Sequence, residues 1–398
     1  MEACRIMKDE RGYRRLSLAL TILLGIAVGL LAILLVRYRA LSQYAPLAEM
    51  AETIKTHYYY YDADGGEPAL VDASLRGMAS GIGDAYAQYY TKEEYDELLT
   101  SQSGEYRGIG IVVTVPDETG AQITHVYDNS PMAEAGAQAG DYILEINDTV
   151  TAGLPMDDML ALFSTDENAA DVLKLQHGDA VFTVTVQPRV VYVPYVHAKM
   201  LDGQIGYIRI DSFLGNVAGE MEEALKDLLT DGMRSLVLDL RNNPGGGLTE
   251  VLDVADMFLQ KGDLIVSIKS KTTDTEKYYA EETGYSFPVA VLVNGNSASA
   301  SELLSGALQD HERAVIIGTQ TFGKGIVQTY FRLNSNAGWI KITTDAYYTP
   351  NDVCIHGIGI TPDIVVELPE DVQSLAIESL SVEQDTQLMR ALQYLKNS

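Results

Sequence analysis

Phe287-Pro-Val-Ala-Val-Leu-Val-Asn-Gly-Asn-Ser-Ala-Ser-Ala-Ser-Glu302 is the stretch on which the reading of this 398-residue chain turns. Val289 to Val293 is a continuous β-branched and aliphatic run of buried-strand length, and Asn294-Gly295-Asn296 breaks it at a turn. Ser301-Glu-Leu-Leu-Ser-Gly-Ala-Leu308 then carries apolar residues at helical spacing. The serine cluster therefore falls on a strand-to-helix turn, where backbone N–H groups lack intrahelical partners and suit a nucleophile. Taken alone, Ser299 with Glu302 three residues later is also a capping box, which accounts for a serine at a helix start without any chemistry.

Thr321-Phe-Gly-Lys-Gly-Ile-Val-Gln328 weighs against that plain account. A lysine between two glycines, just ahead of the alternating strand Ile326 to Leu333, can approach other backbone closely and point into a site. Desolvated there, its pKa falls, and the neutral amine can take a proton from a serine hydroxyl in place of histidine. Gln328, four residues on, is expected on the same strand face as Lys324, where its amide could orient the amine. The residues themselves do not choose among Ser297, Ser299 and Ser301 as nucleophile.

Upstream, Ser235-Leu-Val-Leu-Asp-Leu240, Arg241-Asn-Asn-Pro-Gly-Gly-Gly247 and the helically spaced Leu248, Val251, Leu252 and Ala255 read as strand, glycine-rich turn and helix. The turn lacks the G-K-[ST] ending of a phosphate loop and the G-x-G-x-x-G of a dinucleotide fold. Bare amides at Gly245 or Gly246, at a helix N-terminus, fit a different task, holding the oxyanion of an acyl-transfer intermediate. The six histidines show no H-E-x-x-H spacing and no G-x-S-x-G elbow is present. Metalloprotease and serine-histidine hydrolase readings are therefore weak, and no cofactor or metal is expected.

Between about Gly104 and Pro188 the pattern changes to short strands separated by turns. Tyr106-Arg-Gly-Ile-Gly-Ile111, Ser130-Pro-Met-Ala-Glu-Ala-Gly136 and Gly140-Asp-Tyr-Ile-Leu-Glu-Ile-Asn147 together resemble a PDZ domain. Gly108-Ile109-Gly110 lets consecutive amides converge on a terminal carboxylate, the strand from Ile111 offers an edge for β-augmentation, and a helix from Met156 to Phe163 would form the other wall.

With these segments in hand, the chain resembles the carboxyl-terminal processing peptidases, also called tail-specific proteases, from about Leu47 to the C-terminus. The middle serine of S-A-S-A-S-E, the lysine of F-G-K-G 25 positions later and a glutamine four further on correspond to Ser299, Lys324 and Gln328. The resemblance implies that Ser299 is the nucleophile and Lys324 its base. It also implies that L-D-L-R-N-N-P-G-G supplies an oxyanion donor, joined by the Ala300 amide at the serine turn. Tyr348-Thr-Pro350 and Gly357-Ile-Gly-Ile-Thr-Pro-Asp363 add to the likeness, and Asp385-Thr-Gln-Leu388 resembles the closing helix. Two positions depart from the pattern. Ser-Thr-Asp-Glu-Asn follows Phe163 where relatives place a basic, glycine-containing segment, and Asp352 replaces a small residue.

The implied fold is α/β: a crotonase-like serine protease core with an inserted PDZ domain, a helical N-terminal cap and one transmembrane helix. The segments are 1–40, cytoplasmic tail and anchor; 41–103, helical cap with dimer contacts; 104–188, PDZ domain; 189–366, protease core; and 367–398, helical tail. The implied function is a membrane-anchored extracytoplasmic endopeptidase that cuts proteins near free C-termini, gated by the PDZ domain. The alternative is a membrane-tethered PDZ scaffold with an inactive core.

Leu16 to Val36 has only Ser17 and Thr21 as polar residues, long enough to span a bilayer as a helix. Arg5, Lys8, Arg11, Arg14 and Arg15 precede it against Arg37 and Arg39 behind it, which keeps the N-terminus cytoplasmic at the cell membrane. Net charge is −28. Seven Lys/Arg and three Asp/Glu through Ala40 give +4, and the remaining 21 and 53 give −32, so the outer portion should avoid nucleic acid. Cys4 and Cys354 fall on opposite sides of the membrane in this topology, which excludes a disulfide between them.

Overall fold

The structure, a computed structural model, describes residues 20–36, 38–39, 42–164, 168–335, 337–373 and 375–397. It divides into two compact units, one through Gly83 and one from Asp84 onward, a boundary inside the expected 41–103 cap.

In the first unit, residues 20–36 are helical with their aliphatic side chains exposed. Residues 16–19 of the expected span lie outside the described residues, and among those described no helix is long and apolar enough to cross a membrane. Cys4 also lies outside them. The helices Ala45–His57 and Gly66–Ser80 follow, separated by a turn in which Gly65 and Gly66 take positive φ, 89° and 59°. That conformation is open to glycine and costly for most other residues.

The second unit begins with a departure from the helical cap expected over residues 41–103. Gln88–Tyr90 is a strand, paired antiparallel with Trp339–Tyr348, because the adjacent Tyr89 and Tyr90 bury themselves in that sheet. Helix Lys92–Gln102 then starts at Thr91 with a reciprocal capping box: the Glu94 N–H donates to Thr91 Oγ1 at 3.2 Å and the Thr91 N–H to Glu94 Oε2 at 2.9 Å.

The PDZ-like portion is an antiparallel sheet of Ile111–Val113, Ala121–Val126, Tyr142–Ile146, Asp171–His177 and Ala180–Val186, with a core of its own around Ile123, Met132, Ile143, Met159 and Leu173. Its helix ends at Leu160 rather than Phe163, with Met159 fully buried. Glu105–Gly108 and Arg189–Tyr192, the strands entering and leaving this portion, pair with each other.

The site rests on two further sheets. One has six strands in the order Val196–Leu201, Ile205–Ile210, Ser235–Asp239, Val289–Val293, Val315–Gly318 and Ile364–Val365, parallel after the first pair. The Val289–Val293 run is buried throughout, as a strand covered on both faces must be. Val289, Val291 and Val293 pack with helices Val217–Thr230, Leu248–Asp256 and Ala300–Asp310. Ala290 and Leu292 pack on the other side against the last helix, Thr386–Leu395. That helix occupies only part of the expected 367–398 helical tail and starts where the Asp385 side chain caps it by accepting the Leu388 N–H at 2.9 Å. The other sheet is built on Trp339–Tyr348, which pairs with Ile326–Arg332, Leu264–Ser270 and Gln88–Tyr90.

Candidate active site

Strand Val289–Val293 delivers the chain to Asn294-Gly295-Asn296, and helix Ala300–Asp310 begins straight after Ser299. Of the three serines in the cluster, two are fully buried and committed to the backbone. Ser297 donates to the Leu240 carbonyl at 2.7 Å and accepts the Asn294 N–H at 2.9 Å, and Ser301 donates to the Asn243 carbonyl at 3.0 Å. Ser299 lines a recess with Leu248, Val251, Leu303, Ile326, Gln328 and Tyr347. Its φ of 55° and ψ of −113° lie outside the regions an L-residue prefers, and strain of this kind collects at functional turns.

The capping box expected at Ser299 is half present in function. The Ser299 N–H donates to Glu302 Oε2 at 2.9 Å, while the Glu302 N–H goes to the Ser299 carbonyl at 2.9 Å, so the hydroxyl is not needed as a cap. Glu302 is completely buried and accepts three more bonds: the Lys324 N–H at 2.8 Å on Oε2, and the Gly323 N–H at 2.7 Å and Thr321 Oγ1 at 2.6 Å on Oε1. Four donors face this carboxylate, two on each oxygen, so both oxygens are satisfied inside the protein.

The glycine-rich turn packs directly on the serine turn. A Cβ at Gly245 would stand 2.8 Å from Ser299 Cβ, 2.9 Å from the Ala298 oxygen and 3.0 Å from the Ala300 nitrogen. The Gly245 N–H, however, donates to Asn243 Oδ1 at 2.9 Å, so in this arrangement it is engaged inside the turn. Asn243 is the organiser. Its Nδ2 donates to the Ile210 carbonyl at 2.8 Å and its own carbonyl accepts the Ala298 N–H at 3.0 Å. Gly246, at φ 155°, bridges to Phe213, and the Ala300 amide opens a helix, where no carbonyl one turn earlier is in place to accept it.

Beneath the turn, Arg241 is 3 % exposed and holds Asp239 and Asp385 together, with Nη2 at 2.6 Å from Asp239 Oδ2 and 2.8 Å from Asp385 Oδ2. Tyr207 completes the network by donating to Asp239 Oδ2 at 2.8 Å.

Lys324 sits on the loop before strand Ile326–Arg332, with its amine 4.9 Å from the centre of the Tyr86 ring. No Ser299–Lys324 side-chain hydrogen bond is present among the described residues. Burial lowers the lysine pKa, and the positive charge of Lys341 lowers it further against an opposing effect of Glu302. Gln328 lines the recess beside Ser299, yet its amide points to the Ile326 carbonyl at 3.4 Å and Thr343 Oγ1 at 3.5 Å rather than to Lys324. The expected shared face fails because Lys324 precedes the strand and a register shift between Val327 and Gln328 interrupts the alternation.

Gly108, Ile109, Gly110 and Ile111 line a separate recess with Val113, Ile143, Met159 and Phe163. Gly110, at φ 82°, lies so close to Ser130 that a Cβ there would stand 2.0 Å from the serine Cβ. Residues 165–167, in the acidic stretch that departs from the family pattern, lie outside the described residues.

Glu302, Asn243, Arg241 and Tyr347 are site residues that the sequence reading did not assign. Glu302 carried a signal, since its spacing from Ser299 was noted, but only as a cap.

This architecture defines a serine hydrolase core carrying a PDZ domain, and comparison with known proteins agrees. Residues 204–366 match Peptidase family S41 and residues 98–181 match the PDZ domain. A carboxy-terminal-processing protease of Bartonella bacilliformis is 35% identical over 335 residues, which cover 82% of this chain and 76% of the relative. A Staphylococcus haemolyticus protein named "Probable CtpA-like serine protease" is 34% identical over 342 residues, 84% of this chain and 68% of that one. A solved Bacteroides fragilis structure described as an S41 protease shares the fold at 18% identity and a TM-score of 0.51, covering 82% of this chain and 90% of that one. The chain belongs to peptidase family S41, and it is a serine-type, carboxyl-terminal-processing peptidase with a PDZ domain.

Proposed function

We propose that Ser299 and Lys324 carry out this proteolysis by acyl transfer. Lys324, in the neutral form that burial favours, takes the Ser299 proton as Oγ bonds to the scissile carbonyl carbon. Backbone amides, of which Ala300 and Gly246 are the candidates, hold the oxyanion. Collapse breaks the C–N bond, Lys324 returns the proton to the leaving amine, and water hydrolyses the acyl-enzyme through the same two groups. Gln328 borders the scissile position. The observation that carries this reading is the Glu302 carboxylate, which binds the amides of both Ser299 and Lys324 and so fixes the two loops to each other. The amine reaches the hydroxyl by side-chain rotation from its place over Tyr86, since catalytic hydrogen bonds tighten in the substrate complex. Cleavage of a fluorogenic peptide by Lys324→Arg tests it. Arginine cannot act as the base, so activity above a few percent of wild type would overturn the assignment.

In this reading the core is crotonase-like, and the recess at Gly108 to Ile111 takes the free, apolar C-terminus of a protein substrate by its carboxylate. Substrates with free C-termini should be cut faster than amidated ones, and equal rates would remove the PDZ recess from substrate selection. Residues 16–36 anchor the chain in the cell membrane with the N-terminus cytoplasmic, the catalytic part outside, and the helical cap in homodimer contacts. Membrane fractionation with protease protection tests the topology, which a chain recovered wholly in the soluble fraction would contradict.

A further inference from the structure

Tyr347 grips the lysine loop at two points. Its N–H donates to the Gly325 carbonyl at 3.1 Å, and its phenol donates to the Lys324 carbonyl. The ring is 5 % exposed and forms part of the recess that Ser299 lines. A phenol has one proton, and here the Lys324 carbonyl accepts it, so the lone pairs of the oxygen remain as acceptors in a recess that Ser299 also lines. Ser299 is the one hydroxyl of its cluster without a backbone acceptor among the described residues. We infer that Tyr347 is a positioning residue for the nucleophile: its oxygen accepts the Ser299 hydroxyl in the resting enzyme and holds Oγ toward the recess, while its own proton fixes the loop carrying Lys324. The Ser299 hydroxyl opposes the rise of the Tyr347 pKa, the direction given by a hydrogen bond donated to the phenol oxygen. Burial, and after it the Glu302 charge, keep the phenol well above its ordinary value, so it stays neutral where Lys324 titrates and does not compete as base.

This inference rests on the Ser299 and Lys324 reading, and one set of variants separates the two. Tyr347→Phe keeps the ring and removes the oxygen. With a free-carboxylate fluorogenic peptide, kcat should fall about tenfold to 100-fold, the scale of a misplaced reacting atom. KM should stay within twofold and the midpoint of the pH profile should not move. A kcat within twofold of wild type, or loss of the pH midpoint as though the base itself were gone, overturns the inference. Lys324→Ala is assayed beside it. If that variant is active, the proposed mechanism fails; if it is inactive while Tyr347→Phe is unimpaired, only the role of Tyr347 fails. Should Tyr347→Phe not fold, a crystal structure of the wild-type enzyme decides: a Ser299 Oγ to Tyr347 Oη distance of about 3 Å supports the role, and one beyond about 4 Å overturns it.

Discussion

Ser299 and Lys324 are joined through a single atom, because Glu302 Oε2 accepts the amide of each, at 2.9 and 2.8 Å. A buried carboxylate facing four donors cannot be replaced by a carboxamide without turning an NH2 toward two of them. Glu302→Gln should therefore cost about 2–4 kcal/mol of stability and reduce kcat at least about 100-fold, since both loops shift. Unchanged kcat in a folded Glu302→Gln enzyme would show that the bridge has no part in positioning.

The three neighbouring serines should separate by kind of damage. Ser299→Ala is expected to lose peptide cleavage while melting close to wild type, because its hydroxyl is not a cap. Ser297→Ala takes the acceptor from the Asn294 N–H and Ser301→Ala takes one of two donors from the Asn243 carbonyl, at a cost of about 1–2 kcal/mol each, and both should retain measurable cleavage. Equal loss of activity in all three at unchanged melting temperature would contradict Ser299 as the nucleophile.

Activity should rise with pH as Lys324 loses its proton, through a midpoint below that of an ordinary lysine. The groups acting on it are burial, then Lys341, with Glu302 opposed and the Tyr86 ring against the amine. Removing the positive charge at position 341 makes protonation of Lys324 easier and raises its pKa. Lys341→Gln should accordingly move the rise to higher pH with the plateau rate retained. A profile that shifts the other way, or does not shift, rules out this electrostatic coupling.

Gly245 has φ 103°, and a methyl there would collide with the serine turn. Gly245→Ala is predicted to destabilise the fold by about 1–3 kcal/mol and to impair kcat more than KM, because it pushes on Ser299 Cβ and the Ala300 amide. Thermal melting together with steady-state kinetics reads both effects.

Much of the core was legible because its signals are local. The β-branched run at Val289–Val293, the alternating strand from Ile326 and the glycine-rich turn each follow from composition and spacing along a few residues. Gln88–Tyr90 was not, since its strand exists through pairing with a segment some 250 residues away, and tyrosines suit a helix surface as well as a sheet. The Gln328 geometry escaped for a related reason, as a bulge leaves no mark in period-two alternation. Gly245 was chosen as a donor from its bare amide, and only the fold shows the Asn243 side chain already accepting it. Glu302 and Tyr347 stayed hidden as site residues because their partners are assembled by tertiary contacts between loops.

Arg241 has a consequence for how the enzyme comes into being. Its two carboxylate partners are Asp239 and Asp385, and the second is made 144 residues later. Until that aspartate arrives, the guanidinium lies under the glycine turn paired with Asp239 alone, and the Nη1 and Nη2 donors that reach Asp385 lack those acceptors at the base of the catalytic loops. Contacts so distant in sequence also close slowly. A nascent chain therefore carries its serine, lysine and glutamate through synthesis without a competent arrangement, and proteolysis switches on only when the last helix docks. Ribosome-stalled chains that end before Asp385 should be inert toward peptides that the full chain cuts, so the order of synthesis itself acts as a safety catch on a protease. Cleavage by such stalled chains would refute it.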